Sequence, residues 1–281
     1  MQIPSILIED LVRTALKEDL GHGIDITSAA VVPADLDSTV ILNAREDGVL
    51  AGLILALSCF SHIDPECTFE FFAQDGQVLE AGQKIASITG PAQALLTAER
   101  SALNFLTHMS GIATLTRRYV LAVQGTNAKI CDTRKTLAGL RTVQKYAVRA
   151  GGGYNHRHGL DDAVLIKDNH IAMCGGVADA LDYAQNNTGH MVKIEIEVDT
   201  LDQLDAVLKH GGADVVMLDN FALDDLRTAV QRIDGKMVSE ASGGVTLLSV
   251  GDIAETGVDY ISVGALTHSA PALDIGLDTE G

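Results

Sequence analysis

The sequence predicts an α/β protein in two parts, a sheet-and-helix region followed by a parallel β/α barrel. Three observations carry this. From about residue 128, short apolar runs alternate with amphipathic helical segments, the pattern of a parallel sheet with crossover helices. Polar or glycine residues end these runs at a nearly constant interval: Glu197 to Asp219 is 22 residues, Asp219 to Ser242 is 23, and Ser242 to Gly264 is 22. Before residue 110 the rhythm differs, with alternating apolar and polar residues set between Gly and Asp turns.

The elements follow in order. Residues 1–20, "MQIPSILIEDLVRTALKEDL", read as an amphipathic helix carrying acids, without the basic and apolar regions of a signal peptide. The segments "STVILNARED", "CTFEFFAQDG" and "QKIASITG" read as strands of an antiparallel or mixed sheet, and Ala92 to His108 as a helix. The stretch "DGQVLEAGQKIASITG" resembles a small carrier-domain hairpin, but Lys84 lies outside the turn where such a hairpin presents a modifiable lysine. It is read as structural. In the second part, strands are expected at "AKICD", "AVLIKD", "VKIEIEV", "DVVMLD", "KMVSEAS" and "DYISVG". Helices are expected at "GLRTVQKYAVRAG", "GVADALDYAQNN", "DTLDQLDAVLKHG", "FALDDLRTAVQRI" and "TLLSVGDIAETG". Six strands are read, with room for a seventh, in a span shorter than the ~250 residues of a regular eight-stranded barrel.

Composition narrows the function. The 281 residues are 47% hydrophobic and 21% charged, enough for a sizeable core in one large or two small domains. No apolar run approaches the ~20 residues that span a bilayer. Cys59, Cys67, Cys131 and Cys174 form no C-x-x-C pair and no zinc-finger spacing, which points to free thiols in a reducing, cytoplasmic setting. A formal charge of −18 argues against nucleic acid or an anionic membrane as partner. Yet residues 100–170 hold eleven of the twenty lysines and arginines and only four acids, a local balance of +7. A positive island in a negative body suits a small polyanion.

The ends of the expected barrel strands explain that island. They present Arg134 and Lys135, then Lys167, Glu197, Asp219, Ser242-Gly243-Gly244 and Gly264, on the face where barrel enzymes keep their active sites. Taken singly, Asp219 could cap the next helix and Glu197 could be a solvated strand end. Arg134, Lys135, Arg157 and Lys167, with His156 beside them, suit carboxylate and phosphate groups. The glycines of "ASGGV" and "SVGAL" suit backbone N–H groups closing on a phosphate. Glu197 and Asp219 are left to hold Mg²⁺ or ribose hydroxyls. "GGGYNHRHGL" reads as a glycine-hinged loop that places His156 and Arg157 over a pocket; His156 and His158 lack a third ligand for zinc. Arg141 stays uncommitted. There is no G-x-G-x-x-G fingerprint and no Walker loop. Two rival functions remain on these residues: a Schiff-base lyase using Lys167 and a non-enzymatic ligand sensor.

The blocks "TAERSALNFLTHMSGIAT", "DTRKT…GLR…QKYAV", "GGGYNHRHGL", "LIKDNHI", "EIEV", "MLDN" and "EASGGV" occur in order over nearly the whole chain. Together they resemble the quinolinate phosphoribosyltransferase family. The resemblance implies phosphoribosyl transfer from phosphoribosyl pyrophosphate to quinolinate with loss of CO₂ and pyrophosphate, giving nicotinate mononucleotide for NAD synthesis with Mg²⁺. It implies an N-terminal α/β sandwich over 1–110, joined by 266–281, and an open TIM-like α/β barrel of about seven strands over 111–265. It also implies a homodimer with shared sites, with a higher oligomer left open, and leaves as a rival a nicotinate-type phosphoribosyltransferase that does not decarboxylate. Arg100 would come from the partner subunit. Arg134, His156, Arg157 and Lys167 would hold quinolinate, with Arg100. Lys135, Glu197, Asp219, Ser242, Gly243, Gly244 and Gly264 would hold the phosphoribosyl and phosphate groups. Lys135, Lys167, Glu197 and Asp219 would be catalytic, and Glu197 and Asp219 would hold the metal, directly or indirectly. One departure is Ala138, where the family usually has proline. A related group encoded with molybdenum transport loses parts of "NHR" and "IKDNH", which this chain keeps.

Overall fold

A computed structural model of the chain describes residues 3–279. By contacts the chain forms two compact units. One holds the chain up to Arg117, residues 142–152 and the segment from Ser269; the other holds residues 118–141 and 153–268.

The first unit opens with α1 (Glu9–Leu20), which buries Val12 and Leu16 one turn apart and ends at Gly21, where φ is 60°. Helix α2 (Ile26–Val31) was not read from the sequence; Asp25 nucleates it by accepting from the amides of Thr27 and Ser28. Then come β1 (Asp37–Ala44), β2 (Gly48–Val49), α3 (Leu53–Ile63), β3 (Thr68–Phe71), β4 (Val78–Leu79), β5 (Lys84–Pro91) and α4 (Ala92–Ala122). Helix α3 escaped the sequence reading for a physical reason. Its buried residues, Leu53, Leu55, Ala56, Leu57, Cys59 and Phe60, surround the helix, so no periodicity marks it.

Helix α4 runs fourteen residues past the expected end at His108, because Met109, Ile112, Ala113, Thr116 and Tyr119 continue a buried stripe. The boundary expected at 110/111 therefore falls inside a helix. Close packing explains the glycine at position 111, inside this helix. A Cβ there would run into the Pro271 carbonyl and lie 3.0 Å from Ala272 Cα. The C-terminal segment thus lies against α4 within this unit.

The remaining elements are β6 (Lys129–Cys131), α5 (Arg141–Ala150), β7 (Val164–Ile166), α6 (Asp168–Cys174), α7 (Val177–Asn187), β8 (Ile194–Val198), α8 (Leu201–His210), β9 (Val215–Asp219), α9 (Leu223–Ile233), β10 (Val238–Ser242), α10 (Val250–Ala254), β11 (Tyr260–Ser262), α11 (Ala265–His268) and β12 (Ile275–Thr279). In the first unit, β12, β1, β5 and β3 make an antiparallel sheet in that order, with β2 and β4 as a small antiparallel pair.

The second unit is a parallel sheet in the order β6-β11-β10-β9-β8-β7. Each of these strands lies inside a segment read as strand. Among the described residues β6 and β7 are the two edges, so the barrel is open between them. Six paired strands are the lower end of what the sequence allowed. Ile196, Val198, Val216, Leu218 and Ile261 are fully buried. Side chains of this size contribute roughly 1.5–3 kcal/mol each on burial. Helix α8 shows how the crossovers start: Thr200 Oγ1 accepts from the Gln203 amide, and the Gln203 side chain accepts in return from the Thr200 amide.

Candidate active site

At the C-terminal ends of the barrel strands lies a cleft of about 380 Å³. It gathers Arg134, Lys135, His156, Arg157, Lys167, Glu197, Asp219 and Ser242 from six separate segments of the second unit. A larger hollow, about 560 Å³, lies in the first unit, but Leu53, Ile54, Leu57 and Phe71 line it with a single acid, Asp75, and no cation. Size favours that hollow; the chemistry of the lining favours the cleft.

Arg134 and Lys135 follow β6. Their backbone is pinned on both sides: the Lys135 amide donates to Thr133 Oγ1 at 2.9 Å, and Thr267 Oγ1 donates to the Lys135 carbonyl at 2.9 Å. Gly264 lets this happen at close range, since a Cβ there would sit 3.0 Å from Lys135 Cδ. Arg157 is anchored by one guanidinium nitrogen to the Ala163 carbonyl at 3.1 Å. The Nε atoms of Arg134 and Arg157 are buried with no hydrogen-bond partner. Burial, and then the positive charge of Arg134, pull the Arg157 guanidinium below its ordinary range. Two arginines that raise each other's energy are organised to receive anionic oxygens.

Lys167 follows β7, and its Nζ donates to Glu197 Oε2 at 2.6 Å. Asp219 Oδ2 accepts from the Asn220 side-chain amide at 2.7 Å. Asn220 is left-handed, φ 56°, and its backbone amide donates to the Ser242 carbonyl at 2.9 Å. Gly243, φ 94°, must stay bare, because a Cβ would run into Asn220. The bend after β9 and the bend after β10 are thereby locked together, with Ser242 lining the cleft and Gly243 and Gly244 following it in the bend. Glu197 and Asp219 each keep a second carboxylate oxygen beyond these bonds. Two hard oxygens of this kind fit Mg²⁺, which takes one or two carboxylates alongside phosphates.

His156 lines the cleft and also reaches inward. Its Nδ1 accepts from the Arg157 amide at 2.7 Å, and its Nε2 lies 3.0 Å from Glu195 and 3.6 Å from Glu240. Both ring nitrogens are engaged inside the barrel. His156, Glu195 and Glu240 are also the one cluster of three metal-type donors among the described residues. An accepting Nδ1 puts the neutral ring's proton on Nε2, and a protonated nitrogen is no metal ligand.

Arg100 is exposed on α4 in the first unit, beside Asp19, Asp25 and Thr97, and is not among the residues lining this cleft. Ala138 is exposed in the turn ahead of α5 and is not among the residues lining the cleft. The sequence reading missed Leu165, Met217 and Ser262 in the cleft wall and Glu195 and Glu240 beneath it. Each stands two residues before one that was found. Strand alternation, applied one step inward from the strand ends, could have found all five.

A polyanion cleft at the C-terminal mouth of an open α/β barrel defines an enzyme that binds carboxylate and phosphate groups together. The comparisons make this specific. The chain matches the N-terminal domain of quinolinate phosphoribosyl transferase over residues 25–110 and its C-terminal domain over 112–278. It belongs to the quinolinate phosphoribosyltransferase family. It is 49% identical over 274 residues to the nicotinate-nucleotide pyrophosphorylase [carboxylating] of Mycobacterium leprae, covering 96% of each chain. It is 44% identical over 271 residues to the probable enzyme of that name from Bacillus subtilis, covering 96% of this chain and 93% of that one. The solved nicotinate-nucleotide pyrophosphorylase of Francisella tularensis superposes with a TM-score of 0.95 at 40% identity, over 99% of this chain and 98% of that one.

Proposed function

We propose that this protein transfers the phosphoribosyl group of phosphoribosyl pyrophosphate to the ring nitrogen of quinolinate, releasing pyrophosphate and CO₂ and forming nicotinate mononucleotide for NAD synthesis. It is a pentosyltransferase. The observation that carries the reading is a pair of half-buried arginines whose Nε atoms are buried and unpartnered, in the same cleft as Lys167. A pyridine with two adjacent carboxylates matches three cations better than a monocarboxylate does.

The chain's own groups do mainly electrostatic work. Arg134, Arg157 and Lys167 take the two carboxylates, and Glu197 holds Lys167 in place. Lys135 and the backbone at Ser242, Gly243, Gly244 and Gly264 take the phosphate groups. Glu197 and Asp219 would hold Mg²⁺, which when bound offsets the charge of pyrophosphate. The bond from C1 of the ribose to the pyrophosphate oxygen breaks, with its electron pair leaving on pyrophosphate, and the ring nitrogen bonds to C1. The nitrogen is then cationic. It stabilises the electron pair left at C2 when the C2 carboxylate departs as CO₂, and a solvent-derived proton takes its place. No covalent bond to the protein is needed, and Lys167 serves as charge rather than as a Schiff-base nucleophile. Arg100 of a second copy would complete the site in a homodimer.

The test is purified protein with quinolinate, phosphoribosyl pyrophosphate and Mg²⁺, with nicotinate mononucleotide and CO₂ both quantified. Equal amounts of the two products are expected. No product from quinolinate, with mononucleotide formed from nicotinate and no CO₂ in a parallel reaction, would refute the decarboxylating reading.

A further inference from the structure

A second charged layer lies inside the barrel, one step below the cleft. On β8 and β10, Glu195 and Glu240 stand two residues before Glu197 and Ser242 and so share their face of the strand. Glu195 is 6% exposed and Glu240 5%. In each, Oε1 is buried with no hydrogen-bond partner. Burying a carboxylate is costly unless it is paired, so two such acids under one cleft call for a role.

Their shared neighbour is His156, whose Nε2 faces both. On the opposite side of the ring, Nδ1 accepts from the Arg157 amide, and the His156 amide donates to Asp132 Oδ1 at 3.0 Å. A nitrogen that accepts carries no proton, so the ring holds its proton on Nε2, aimed at the acids. Burial and the charge of Glu195 push Glu240 up to about 7, which keeps the layer short of its full negative charge near neutrality.

We propose that Glu195, supported by Glu240, is a positioning residue for recognition of the substrate's carboxylates: it fixes His156 as the Nε2–H tautomer and so gives Arg157 its backbone anchor. The recognition half of this rests on the dicarboxylate reading of the cleft. Without an acceptor at 195, the imidazole proton can move to Nδ1. There it meets the Arg157 amide donor to donor, and the loop must shift with Arg157 on it.

Two measurements test it. Ring-nitrogen NMR of ¹⁵N-histidine-labelled wild-type protein near neutral pH, assigned with His156→Gln, is expected to show the His156 proton on Nε2. A proton on Nδ1, or a charged ring, overturns the proposal, and this reading needs no variant at 195 that could fail to fold. Calorimetric titration then compares wild type, Glu195→Leu and Glu195→Gln. The leucine variant is expected to bind quinolinate about tenfold or more weakly, and glutamine, which keeps a carbonyl acceptor, to recover to within about threefold. Affinity for phosphoribosyl pyrophosphate is expected to move by less than about twofold in both. Equal losses for leucine and glutamine, or for both ligands, overturn the proposal. Wild-type protein that binds no quinolinate overturns the functional reading and the recognition half with it, and the tautomer still stands or falls on the NMR.

Discussion

At the residue scale, the cleft works through atoms with unused bonding capacity. Arg157→Ala or Lys167→Ala removes a cation aimed at a carboxylate. A hydrogen bond to a charged group contributes about 1.5–3 kcal/mol. Quinolinate affinity should therefore fall about ten- to a hundredfold in a protein that still folds. Near-normal quinolinate kinetics in either variant would remove that residue from its role. Gly243→Ala tests a different group. Its left-handed backbone and the crowding by Asn220 make any side chain strained by about 1–3 kcal/mol. The variant should melt earlier and bind phosphoribosyl pyrophosphate more weakly, with quinolinate binding nearly unmoved; the reverse pattern would take Gly243 out of the phosphate side. Most of these residues were legible in the sequence, because strand ends in a β/α repeat declare themselves by spacing. His156 was legible as a site residue but not in its orientation. Which way an imidazole faces depends on Glu195 and Glu240, 39 and 84 positions away in the chain.

At the scale of the element, caps and packing set where each helix begins. Asp25 starts α2, and its carboxyl is held below its ordinary value of 3.8 by the Ser28 hydroxyl first and then by the Ser28 amide. A depressed carboxyl adds stability above the unfolded value and loses it as pH falls through the folded one. Asp25→Asn should therefore be less stable than wild type at neutral pH, with the gap closing below about pH 4. Urea midpoints from pH 7 down to below pH 3 measure this; a gap that does not narrow anywhere as the pH falls would deny the cap its ionised form. The barrel elements were the most legible, since amphipathic helices and apolar strands keep two distinct periods. Helices α2 and α3 were not, one because six residues carry too little pattern, the other because it is apolar all round. The extension of α4 through Gly111 was hidden too, because a glycine required by the approach of residues 271–272 looks the same in sequence as one that ends a helix.

At the scale of the whole molecule, Arg100 and the cleft residues fall in different compact units. If Arg100 serves the site of a second copy, mixing Arg100→Ala with Lys167→Ala yields hybrids with one undamaged site. Random pairing would then return roughly a quarter of wild-type activity. No recovery in verified hybrids would deny the shared site.

By itself the sequence determined the α/β class, the six barrel strands and the cations gathered at their ends, because strand period, repeat length and charge are local properties of the chain. Only the tertiary structure decided which groups meet: the Lys167–Glu197 pair, the lock between Asn220 and Gly243, and the inward turn of His156 onto two buried acids. Those are contacts between strands distant in sequence, and they exist only once the sheet has brought their inner faces together.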